Sequence, residues 1–142
     1  MITYKDLKCI AMIRLKEARV LYRHKLYDGA AYLCGYVVEA ALKARICKNL
    51  NIEQYPDDGT MKTIFSSHDF DRLLLLSGLS KEISLSNTRN QRLFQNWSLL
   101  TAWKPDRRYI PAGTYNKEQL RDMFKALEDK HAGLLPWITK LW

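Results

Sequence analysis

Between Tyr27 and Ile46 the chain offers very little to water. Apart from Asp28 at its start, the run Tyr27-Asp-Gly-Ala-Ala-Tyr-Leu-Cys-Gly-Tyr-Val-Val-Glu-Ala-Ala-Leu-Lys-Ala-Arg-Ile46 carries charge only at Glu39, Lys43 and Arg45. A helix that is apolar around most of its circumference has to lie inside a bundle, because a surface helix keeps a polar face. Ala30, Ala31, Gly35, Ala40, Ala41 and Ala44 are small enough to let neighbouring backbones approach closely. Glu39 and Lys43 stand four apart, in the acid-before-base order that places them together on one face.

The elements around this helix follow the same logic. Leu7, Ile10, Ala11, Leu15, Ala18, Leu21 and Tyr22 recur at three-and-four spacing and predict a first helix over residues 4–26. Thr3 is its expected N-cap, with Asp6 completing a capping box. The second helix is expected from Asp28, acting as N-cap, to about Lys48. Residues 49–67 read as the longest loop, with the turn signal Asp57-Asp58-Gly59 and a turn of helix over 61–65. Ser66-x-x-Asp69 resembles a capping box before a short helix at 67–77, which Gly78 ends in a left-handed cap. A short helical segment at 80–86, a firmer helix at 88–103 stopped by Pro105, and a last helix opening at Asn116-x-x-Gln119 complete the pattern. That last helix is expected to continue past Gly133 and to kink or break at Pro136. No strand alternation or repeat competes, so the chain is expected to be all-α: one domain over 1–142, an up-and-down bundle of about five helices.

With a net charge of +8 and a pI near 9.5, the chain suits an anionic partner, although solvated helix faces produce the same balance. Cys9, Cys34 and Cys47 are odd in number and lack metal-ligand spacing, so neither a disulfide framework nor a zinc site is expected. No signal peptide and no membrane-spanning stretch is read, which makes a cytoplasmic location the expectation.

Three segments carry a resemblance to a known family. Gly35-Tyr36-Val37-Val38-Glu39 with Leu42-Lys43-Ala44 is similar to the second helix of HEPN domains. His68-Asp69-Phe70-Asp71-Arg72-Leu73 resembles a family H-x-L-x-x-L segment, and Trp103 to Tyr109 a W-x-x-x-x-R-Y segment. The resemblance implies a small helical domain, often homodimeric, that accompanies a nucleotidyltransferase partner or acts in toxin–antitoxin and defence settings. Many such domains are metal-independent ribonucleases using an Arg and a His four to six residues apart, near the end of the bundle. The formal match here is Arg19 to His24, on the first helix, with Val20 where a polar residue is usual. On a helix these two side chains diverge by roughly 140°. His131 follows Arg121 by ten residues, so the late helix lacks the pair.

The strongest constellation combines Glu39 and Lys43 with His68, Arg107, Arg108 and Tyr109. Two readings stand beside each other. In one, an arginine grips a phosphate and an aromatic ring stacks a base, making a nucleotide or RNA pocket. In the other, Arg108 pairs with Glu39 and the group is a buried salt-bridge network that holds a loop to the bundle. The expected function is a non-catalytic binding and interaction module for a nucleotide, RNA or nucleotidyltransferase partner, with no metal and no cofactor. The alternative is a metal-independent ribonuclease using Arg19 and His24.

Overall fold

The computed structural model describes residues 2–142 except Asp57, Asp58, Thr60, Met61, Thr63, Ile64, Pro105, Arg107, Arg108 and Leu141. The described residues form seven α-helices: α1 Tyr4–Arg23, α2 Tyr27–Leu50, α3 Phe70–Leu76, α4 Ser80–Arg89, α5 Gln91–Thr101, α6 Lys117–Glu128 and α7 Leu134–Thr139. The all-α expectation holds, with more helices than the five expected because the short segment expected at 80–86 is a full helix of its own and the last expected helix is cut in two. Asn90 takes an extended φ of −148° and caps α5 through its side chain, separating α4 from α5. Asp129 likewise leaves helical geometry and accepts the amides of His131 and Ala132, which ends α6 well before Pro136. Pro136 therefore sits inside the first turn of α7, where its missing N–H costs nothing, and it neither kinks nor ends a helix.

The apolar run forms the central helix. α2 packs against α1, α3, α5, α6 and α7, and its contact with α1 is the most extensive in the molecule. Val37, Val38, Leu42 and Ile46 are fully buried, each contributing about 2 kcal/mol of apolar transfer free energy. α1 contributes the complementary stripe of Leu7, Ala11, Leu15 and Ala18, whose alternating large and small side chains let the two rods lie close.

Local chemistry sets the element ends. Thr3 and Asp6 form the expected capping box of α1, and Asn116 and Gln119 that of α6. The start of α2 departs from expectation: Leu26 is the cap residue, and Asp28 lies inside the first turn. Its carboxylate instead accepts the backbone N–H groups of Gly113 (2.6 Å) and Tyr115 (2.8 Å), strapping the loop before α6 onto the end of α2. An acid there also complements the positive end of the helix. The third helix begins at Phe70 rather than 67, since Asp69 itself caps it by accepting the Arg72 amide. Gly78 adopts the expected positive φ of 77°. The first helix stops at Arg23, because Lys25 turns left-handed and the Leu26 amide reaches back to the Leu21 carbonyl.

One contact fixes the loop after α5 to the bundle. Trp103 is buried with its ring over Gly35, so close that a Cβ there would stand 2.0 Å from the indole. Tyr36 meets the same ring edge-on at 4.9 Å between centroids, and Phe70 approaches at 5.7 Å. Gly35→Ala is therefore expected to lose roughly 2–3 kcal/mol in urea unfolding, through overpacking rather than helix propensity. A second test reads the core by its thiols. Cys34 and Cys47 are buried and burial raises both thiols, Cys34 to about 12, whereas Cys9 is exposed. Ellman's reagent at neutral pH should label one cysteine in the native protein and three after unfolding.

Candidate functional site

On one side of α2, Tyr32, Tyr36, Glu39 and Lys43 follow one another at spacings of four, three and four. That spacing makes a single stripe of polar-tipped side chains on an otherwise apolar helix. Glu39 is buried, at 5% exposure, yet it is fully engaged. Lys43 Nζ donates to its Oε1 at 2.7 Å, and His68 Nδ1 meets its Oε2 at 2.9 Å. Since an ionised carboxylate only accepts, this bond places the His68 proton on Nδ1. His68 reaches Glu39 because it lies in the extended residues just before the Asp69 cap of α3.

The N-terminus of α1 supplies the other wall. Tyr4 donates its amide to Glu53 and Tyr55 donates to the Ile2 carbonyl, so residues 53–55 pair antiparallel against residues 2–4. That pairing brings the Tyr55 ring to 5.4 Å from Lys43 Nζ, a cation–π distance. Tyr55 is buried and its hydroxyl donates to the Phe65 carbonyl, while burial raises its phenol above the usual range.

These residues line a groove of about 760 Å³ between α1 and α2. Ile10, Leu33 and Ala40 form apolar parts of its lining, and Tyr32, Tyr36 and Tyr55 bring aromatic rings to it. The hydroxyls of Tyr32 and Tyr36 lie 3.2 Å apart in a hydrogen bond. His68 also borders a second cavity of about 690 Å³, beside Trp103, Lys104 and the 78% exposed Tyr109. His68 is thus a seam between the two spaces.

Of the residues singled out from sequence, the structure brings Glu39, Lys43 and His68 into direct contact. Tyr109 lines the second cavity together with His68. Arg107 and Arg108 lie outside the described residues, as do Pro105 and most of the turn expected at 57–65. Both Glu39 oxygens have partners without Arg108. Arg19 and His24 do not form a pair: Arg19 is ion-paired with Glu128 of α6, and His24 is exposed at the C-cap of α1. Among the described residues no three His, Cys, Asp or Glu side chains gather as a metal site requires.

Tyr32, Tyr36 and Tyr55 are not among the site candidates that the sequence offers. The signal was present in the spacing of Tyr32 and Tyr36 ahead of Glu39, but the contribution of Tyr55 depends on a pairing with the chain start that no local pattern announces.

A helical bundle with a paired carboxylate buried in its central helix defines a small all-α domain. The HEPN domain family model matches residues 4–129, and the chain belongs to the HEPN family. The match ends at the Asp129 turn, so α7 lies beyond it. Comparisons with curated proteins and with solved structures find no match to this chain. No helix among the described residues is long and apolar enough to cross a membrane.

The Glu39 network yields a clear prediction. Glu39→Ala leaves Lys43, itself mostly buried, without its counter-charge, and should cost roughly 3 kcal/mol of stability. The double variant Glu39→Ala, Lys43→Met should recover most of that loss in chemical denaturation. If the single and double variants were equally destabilised, the pair would not be coupled.

Proposed function

We propose that this HEPN domain is a non-catalytic binding module whose α1–α2 groove takes a nucleotide-type ligand. The observation that carries the reading is the joining of an aromatic-lined groove to the Lys43–Glu39–His68 network at one place on the central helix. The volume falls within the roughly 300–1,000 Å³ usual for small-molecule sites. Tyr32 and Tyr36 offer ring surfaces for a base, and Lys43 and His68 supply donors toward the polar end of the ligand. Family membership supports a role connected with nucleotides or RNA. The non-catalytic reading is supported by Glu39 and His68 being bonded to each other and by Arg19 being held by Glu128 rather than by His24. A cytoplasmic homodimer, with a nucleotidyltransferase as a further partner in a toxin–antitoxin or defence setting, completes the proposal. The exposed apolar side chains Met12, Ile13 and Val20 on α1 give a dimer a surface to cover.

The test combines two assays on the purified protein. Total RNA incubated with it in EDTA should stay intact. ATP or GTP should bind with a change in tryptophan fluorescence, because Trp103 packs against Tyr36. Tyr36→Leu and His68→Gln should each weaken that binding by about 1–3 kcal/mol. Metal-free RNA cleavage abolished by Arg19→Ala or His24→Ala would establish the ribonuclease reading instead.

A further inference from the structure

The opposite side of α1 carries a different surface. Arg19, Tyr22 and Arg23 of α1 meet Arg121 and Phe124 of α6 around a cleft of about 250 Å³. Taking 100° per residue, the direction of Arg19, Tyr22 and Arg23 lies roughly 160° around α1 from that of Ile10, Arg14 and Glu17, which line the groove. The two spaces share no residue.

Aromatic rings give this cleft a built lining. Phe124 packs edge-on to Tyr22 at 5.4 Å, and Tyr22 in turn contacts Tyr27 at 5.8 Å. The Arg19 guanidinium stands 5.9 Å from the Phe124 ring centre while Glu128 holds it from the side, which fixes its orientation. No ion pair or hydrogen bond among the described residues engages the guanidinium of Arg23 or Arg121, and both residues are exposed. Further positive charge surrounds them, Lys16 on the Arg23 side of α1 and Lys125 one turn beyond Arg121 on α6. The nearby carboxylates are Glu128, already paired with Arg19, Glu118, one turn before Arg121 on α6, and Asp122, further around that helix.

We infer that this cleft is a phosphate-binding site for the backbone of single-stranded RNA, a second contact distinct from the groove. Arginine rather than lysine at all three cationic positions favours planar, forked recognition of phosphate oxygens. The cleft is smaller than the roughly 300 Å³ at which small-molecule sites begin, so it takes one phosphate of a longer chain rather than a whole nucleotide. The aromatic lining gives an adjoining base or ribose a face to rest on. The inference shares with the proposed function only the idea of a nucleotide-based ligand; it assigns a different surface.

The experiment measures anisotropy of a fluorescein-labelled oligouridine over a salt series with the full chain. Arg23→Gln with Arg121→Gln should weaken binding about tenfold or more and lower the log–log salt slope by about 0.7, the value for the one phosphate contact the cleft holds. The charge-matched control Lys48→Gln with Lys81→Gln should change affinity less than threefold. Arg23→Lys with Arg121→Lys, which keeps charge and loses the fork, should fall between. Circular dichroism melting of all variants should match the parent, since the altered side chains are exposed. ATP or GTP binding in the groove should survive Arg23→Gln with Arg121→Gln, so the two sites can fail separately. Equal loss in the arginine pair and the lysine control, no binding of oligouridine by the parent, or displacement of the RNA by polyglutamate of equal charge would overturn the inference.

Discussion

The close seating of Trp103 on Gly35 organises the rest of the molecule. A missing side chain on the central helix allows an indole to lie against its backbone, and the indole brings with it the loop that follows α5. Tyr32, Tyr36 and Phe70 then gather around the same ring at 4.9 to 6.1 Å. Tyr36 is therefore both a core residue, through its edge on Trp103, and a groove residue, through its other surface. The same arrangement sets Phe70 at the start of α3, and so places His68, two residues earlier, within reach of Glu39. Packing and site chemistry share one origin here.

A buried carboxylate on an apolar helix carries a large desolvation cost unless its oxygens are satisfied. Glu39 meets that condition with one partner from its own helix and one from a distant segment. The i,i+4 lysine is available as soon as α2 forms, whereas the histidine arrives only when residues 66–69 dock. The network therefore ties the connection between α2 and α3 to the correct packing of the bundle. The segment at 53–55 adds a second tie, pairing with the chain start and laying Tyr55 beside Lys43. The two sides of α1 then differ in kind: one faces an aromatic groove with an internally balanced ion pair, the other a cleft with arginines in excess of carboxylates.

Much of this was legible in the chain because it depends on short-range rules. The apolar circumference of residues 27–46 required a central helix, and Thr3–Asp6 and Asn116–Gln119 marked helix starts by side-chain chemistry alone. Gly78 marked a stop because only a residue without a Cβ takes that backbone easily. Lys25 also turns left-handed, and a lysine gives no such signal, so α1 ends earlier than its apolar spacing implies. Asp28 has the chemistry of a cap but serves elsewhere, because the amides it accepts lie 85 and 87 residues away. The groove shows the same division. The proximity of Glu39 and Lys43 follows from helical geometry, but the positions of His68 and Tyr55 follow from long-range packing. Arg19 matches His24 only in sequence spacing, and its partner is Glu128, on a helix more than a hundred residues further along.

Where a small ligand settles distinguishes the α1–α2 groove from the face that carries Arg19 and His24. Nitrogen-15 NMR of the labelled chain, titrated with ATP or GTP, reports that location residue by residue. Binding in the groove predicts that the largest shifts fall on Tyr32, Tyr36, Lys43, Tyr55 and His68, with the Trp103 indole following through its contact with Tyr36. Shifts confined to Arg19, His24 and their neighbours, with the groove residues unmoved, would contradict it.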